Sequence, residues 1–98
     1  MPIRLDPERN EPAALFDYAE SLAGKRVLEI GCGDGRLTWL YADQAARVVA
    51  LDPDSDEIAL AVKNCPPHLR ERVEFRVGTI QNIESSERFD LALLSWSL

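Results

Sequence analysis

Twelve residues constrain this chain more than any others: Val27-Leu28-Glu29-Ile30-Gly31-Cys32-Gly33-Asp34-Gly35-Arg36-Leu37-Thr38. A short stretch of buried-strand character runs into three glycines at alternate positions, and a helical pattern follows at once. Glycine is placed where the backbone must turn sharply or where a Cβ would collide with something brought close to the main chain. A helix that starts just after such a turn directs unpaired N–H groups and the positive end of its dipole into the crevice. Strand, glycine turn and helix in that order mark a site for a nucleotide-like molecule.

The chain has 98 residues, enough for one domain. Its 46% apolar and 29% charged residues are those of a globular protein. A net charge of −6 with scattered Lys and Arg argues against a nucleic-acid partner, because phosphate backbones need clustered cations. No apolar run is long enough to span a bilayer, and Met1-Pro2-Ile3-Arg4-Leu5-Asp6 lacks a secretory core, so neither a membrane partner nor export is expected. Cys32 and Cys65 have neither disulfide-framework nor metal-ligand spacing, which fits a reducing, cytoplasmic setting and no metal site. With His68 as its one histidine, the chain has no multi-imidazole centre.

Residues 1–9 read as an N-terminal arm, and residues 10–98 as the domain. A helix is expected from Asn10 or Glu11, with Pro12 in its first turn, Leu15, Phe16, Ala19 and Leu22 on one stripe, and Gly24 as its stop. Strand one spans Arg26 or Val27 to Ile30, and a helix from about Gly35 to Gln44 should turn Leu37, Leu40 and Tyr41 inward. Strand two, Arg47 to Leu51, ends in Asp52-Pro53. Asp54 and Glu57 have capping-box spacing, and Ile58, Ala61, Val62 and Cys65 form the apolar stripe of the next helix. Val73 to Val77 alternates, as an edge strand should. A short connection from Ile80 to Ser86 leads to strand four, Phe89 to Leu94, which reads as buried on both faces. Right-handed crossovers then give an α/β fold, an open parallel sheet of about four strands ordered 3-2-1-4 with flanking helices. The order reverses between strands one and four, so the glycine turn lies at the switch point where such sheets bind ligands.

Two ligand classes compete for that crevice. A dinucleotide fingerprint needs glycine at position 36, where Arg36 stands, since the third glycine comes one residue early. Asp52, 21 residues after Gly31, can accept from ribose hydroxyls in either class. Glu29 favours a ligand bearing ammonium and sulfonium groups over a diphosphate. A second reading of Glu29 is a carboxylate held by backbone N–H groups to fix the loop.

Glu29-Ile30-Gly31-Cys32-Gly33-Asp34-Gly35 followed by Leu51-Asp52-Pro53 resembles the first two motifs of class I S-adenosylmethionine-dependent methyltransferases. Gly78-Thr79-Ile80 and Phe89-Asp90-Leu91 are similar to the entry points of the third and fourth. The resemblance covers residues 25–98 and implies a Rossmann-like fold with S-adenosylmethionine as cofactor and S-adenosylhomocysteine as product. It implies that Gly31, Cys32, Gly33 and Gly35 bring backbone to the methionine moiety over Glu29. It also implies that Asp52 holds the ribose, Pro53 and Thr79-Ile80 flank the adenine, and Ser95 sits near the ammonium. The family commonly has an acid where Thr79 stands; the Thr79 hydroxyl or Gln81 would accept in its place.

Methyl transfer from a sulfonium needs alignment and exclusion of water more than a catalytic triad, so no catalytic residue is assigned. Ser95-Trp96-Ser97-Leu98 lacks the Asn/Asp-Pro-Pro-Tyr of nucleobase amino methyltransferases, which implies a small-molecule acceptor. Trp96 either walls the pocket or packs, His68 reads as a surface turn residue, Cys32 as small by necessity, and Asp90 as structural. The resembled family adds three further strands, so the sequence reads as the cofactor half of a domain truncated after strand four. An uncovered fourth strand would call for a second copy or another partner. The alternatives are an NAD(P)-binding oxidoreductase domain and a non-catalytic ligand-binding or interaction module.

Overall fold

The fold grows from a parallel sheet. The computed structural model describes residues 22–95; the expected arm, most of the helix starting at Asn10 or Glu11, and Trp96 to Leu98 lie outside the described residues. The strands are β1 (Arg26–Ile30), β2 (Arg47–Asp52), β3 (Val73–Val77) and β4 (Leu91–Leu94). They pair in the order β3-β2-β1-β4, every pair parallel, with Glu29 of β1 opposite Ala50 of β2 and Leu93 of β4. The expected topology is therefore the observed one, with the reversal between β1 and β4.

Side chains alternate between the two faces of a strand. One face carries Val27, Val48, Ala50, Val73 and Leu93 against Tyr41, Ala42, Ile58 and Cys65 of the helical layer. The other carries Leu28, Val49 and Leu51, with Ile30, Ile83 and Phe89 packed beside them. At β3 that second face turns polar. Arg76 pairs with Glu74 and with Glu87 at 2.6 Å, and Arg47 reaches Glu74 at 2.8 Å. These pairs, Arg76 foremost, hold both carboxyls below their ordinary range. This is why Glu74 and Arg76 alternate with Phe75 in the sequence.

Helix α1 is shorter than its apolar pattern suggests, Thr38–Tyr41 instead of Gly35 to Gln44. Tight three-residue turns flank it, with Leu40 N–H donating to Leu37 C=O and Gln44 N–H to Tyr41 C=O. Its N-terminal neighbour is also drawn into the glycine turn: Gly35 has a φ of +90°, which no regular helix accommodates. Helix α2 (Ser55–Asn64) begins as expected at Asp54, whose carboxylate accepts from the N–H groups of Asp56 and Glu57. The reciprocal half of the expected box is replaced: Asp54 N–H donates to Asp52 Oδ1 at 2.9 Å. Ile58, Ala61 and Cys65 are buried, but Val62, expected on the same stripe, is 55% exposed.

Strand β4 departs from the sequence reading. It starts at Leu91, and only Leu93 is fully buried, while Ala92 and Leu94 are exposed. Among the described residues no strand pairs with its outer edge, and the face that carries Ala92 and Leu94 is open as well. Asp90 stands at the opposite end of the sheet from the glycine turn and accepts from the Arg26 N–H at 2.9 Å, a structural tie as expected.

Candidate functional site

The glycine turn is suspended from the end of β2. The N–H groups of Gly31 and Cys32 both donate to the Leu51 carbonyl, at 2.8 and 2.9 Å, and Gly35 N–H closes the turn on Cys32 C=O. Gly33 N–H instead donates to the Asp52 carboxylate at 2.9 Å. With its other oxygen on Asp54 N–H, Asp52 ties the turn to the start of α2. The Asp52 carbonyl accepts from Gly78 N–H at 2.9 Å, which brings the end of β3 to the same place. Pro53 and Thr79-Ile80 therefore flank one strand end, both exposed, and Thr79 caps the 3₁₀ turn Ile80–Asn82 through its hydroxyl. A carboxylate has about four acceptor positions, so these two backbone donors leave Asp52 able to accept from a ligand.

Beneath the turn lies Glu29, fully buried in β1. It is held by hydroxyls, not by the backbone N–H groups considered from the sequence. Thr38 Oγ1 donates to it at 2.7 Å, and Tyr41 and Ser95 donate their hydroxyls as well. Ser95 also donates its N–H to Ile30 C=O at 3.0 Å, so the end of β4 is fastened to β1 at two points. Burial drives the Glu29 carboxyl above its ordinary range, against the three hydroxyl donors that favour the ionised form. Cys32 is buried next to this cluster, and burial together with the charges of Glu29 and Asp52 raises its thiol well above the ordinary value. It is a poor nucleophile, as its place in the turn suggested.

All ten positions singled out in the sequence thus lie at the carboxyl ends of the strands or directly below. Three contributors were missed. Thr38 and Tyr41 share a helix face at i and i+3, a spacing that could have flagged them as partners for a strand acid. Glu57 was read only as a capping residue, yet its Oε2 lies 3.9 Å from where a Cβ on Gly33 would be.

Two glycines of the turn have different reasons for being glycine. A Cβ on Gly35 would meet the Trp39 ring at 2.5 Å, whereas one on Gly33, at φ +57°, would meet only that Glu57 oxygen. Gly33→Ala should therefore cost only its left-handed conformation, about 1–2 kcal/mol. Gly35→Ala adds a collision with a partly buried indole and should cost more. Urea melts of the two variants check this; equal losses would mean that the space above Gly33 is not open.

A family model described as "Methyltransferase domain" matches residues 27–98. The chain belongs to the methyltransferase domain family. The matched region begins in β1 and contains all ten singled-out positions of this methyltransferase domain. A ubiquinone biosynthesis O-methyltransferase from Nitrobacter winogradskyi is 34% identical over 97 residues, covering 94% of this chain and 36% of the relative. The domain thus spans little more than a third of that relative's length. Among solved structures, a dimethyladenosine transferase from Plasmodium falciparum superposes with a TM-score of 0.71 at 30% identity, over 87% of this chain and 32% of that one. Coclaurine N-methyltransferase, solved with N-methylheliamine and SAH, superposes with a TM-score of 0.67 at 28% identity, over 84% and 26% of the two chains. No helix among the described residues of the methyltransferase domain is long and apolar enough to cross a membrane.

Proposed function

We propose that this chain is the cofactor-binding half of an S-adenosylmethionine-dependent methyltransferase whose acceptor is a small molecule. The observation that carries the reading is Asp52: one carboxylate ties Gly33 to the start of α2 and keeps acceptor positions free beside a glycine with open space above it. The residues fit such a cofactor. Asp52 accepts from the ribose hydroxyls, Pro53 and Thr79-Ile80 frame the adenine, and Gly31, Cys32, Gly33 and Gly35 let the methionine moiety lie against main chain. Ser95 lies near the ammonium, and the buried Glu29 carboxyl lies below the cationic part of the ligand, whose positive charge would favour its ionised form against the burial that raises it. When bound, S-adenosylmethionine supplies a methyl group on a sulfonium, and the chain's own task is to orient it and keep water out. The names of the ubiquinone O-methyltransferase relative and of coclaurine N-methyltransferase support a small-molecule acceptor.

Thermal-shift titration tests the cofactor assignment. At a ligand concentration of 100 Kd, S-adenosylhomocysteine should add about 2.7 kcal/mol. That corresponds to a rise in Tm of roughly 10–20 °C, at about 4–8 °C per kcal/mol for a domain this size. S-adenosylmethionine should behave alike and NAD should leave Tm unmoved. Stabilisation by NAD alone would overturn the reading in favour of a dinucleotide site.

A further inference from the structure

On the helical side of the sheet, at the β3 edge, Val62, Lys63, Cys65, Arg70, Val73 and Phe75 line an open cleft of about 290 Å³. Its size is close to the lower limit, about 300 Å³, of pockets that hold small molecules. No residue of the glycine turn lines it. Val62 stands in the cleft wall instead of the core, 55% exposed although its place in the α2 pattern is apolar.

The charge of the cleft is unlike that of the chain. The whole carries −6, yet the lining holds two cations and no carboxylate. Among the described residues, other arginines are engaged: Arg26, Arg36, Arg47 and Arg76 with carboxylates, Arg72 and Arg88 with carbonyls. Among the same described residues Arg70 has neither kind of partner and Lys63 has no ion pair. Lys63 lies in the last turn of α2, whose C-terminus presents about half a negative charge. That half charge does not balance two full cations. An apolar wall beside two uncompensated cations, one a planar guanidinium, complements a ligand with an apolar chain and a single carboxylate, which a guanidinium can grip through two parallel hydrogen bonds.

We infer that the α2–β3 cleft binds a small amphiphile bearing one carboxylate, with its chain along Val62, Val73 and Phe75 and its head between Lys63 and Arg70. This binding is separate from the cofactor site and does not rest on the methyltransferase reading.

Decanoate, kept below its micelle concentration, is the probe, with decanol as the uncharged control. Amide NMR titration of the full chain should give saturable shifts centred on Val62, Val73 and Phe75, with decanol at least tenfold weaker. Arg70→Gln should weaken decanoate about tenfold, the loss of one charge-assisted contact. Val62→Glu should abolish binding by placing an anion in the wall. Unchanged dispersion of the amide spectrum outside the cleft establishes that both variants are folded. Saturation indifferent to both substitutions, equal binding of decanol, shifts that map elsewhere, or binding only to anionic vesicles or micelles would each overturn the assignment.

Discussion

Replacing Glu29 by alanine is expected to remove about 3–5 kcal/mol of folding stability, much of what a small domain possesses. The carboxylate sits at the centre of three side-chain hydroxyls, Thr38, Tyr41 and Ser95, none of which is open to water. Removing the common acceptor leaves buried donors unsatisfied, each worth about 1–3 kcal/mol, and opens a cavity as well. Glu29→Gln keeps the shape and one acceptor oxygen, and its amide can donate to the hydroxyl oxygens, so it should retain most of the stability. The two variants also separate packing from charge. Burial raises the Glu29 carboxyl, so the fold favours its protonated form more than the unfolded chain does. Stability from this group is therefore full below the ordinary value of 4.5 and is lost as pH rises through the raised one. The groups around it, Tyr41 and Cys32, are both pushed upward and stay neutral across that window. The difference in stability between the native chain and Glu29→Gln, followed by urea melts across acid to neutral pH, should shift in favour of glutamine as pH rises. A difference that does not move with pH would mean that Glu29 titrates alike in both states.

Much of the fold was legible because its signals are local. The apolar runs of β1 and β2, the alternation of β3 and the glycines between them require only neighbouring residues, and right-handed crossovers convert them into strand order. The glycine turn and the acid at the end of β2 were both legible as neighbours of one crevice, but that Gly33 N–H donates to the Asp52 carboxylate was not foreseen. What escaped is long-range or depends on what covers a surface. Tyr41 has an apolar ring and reads as core; that its hydroxyl would end on a strand acid is a tertiary fact. Val62 matched its helical stripe, yet it is exposed while Ile58, Ala61 and Cys65 of the same stripe are buried; periodicity shows which face is apolar, not how much of it finds cover. Leu94 and Ala92 read as buried because they are apolar, whereas burial needs a partner layer, and none lies over them among the described residues.

Asp52→Ala is the second large effect, and it is an effect on affinity. S-adenosylhomocysteine binding should weaken by about 1–3 kcal/mol, because two ribose hydroxyls lose a charged acceptor. The stability cost should be smaller, since the Gly33 and Asp54 N–H groups that it also serves are only part-buried or exposed, and water can replace the carboxylate. Asp52→Asn sharpens the distinction: it keeps one acceptor oxygen for a backbone N–H but turns an NH₂ toward the other side, so stability should partly return while affinity stays low. Calorimetry with the parent ligand and with its 2′,3′-dideoxy analogue assigns the loss to the hydroxyls. If Asp52 holds the ribose, the analogue binds the native chain weakly and is nearly indifferent to the substitution. If both ligands lose affinity equally on Asp52→Ala, the carboxylate acts by shaping the turn around Gly33. If neither does, the ribose is held elsewhere and the reading of this strand end as a nucleoside site fails.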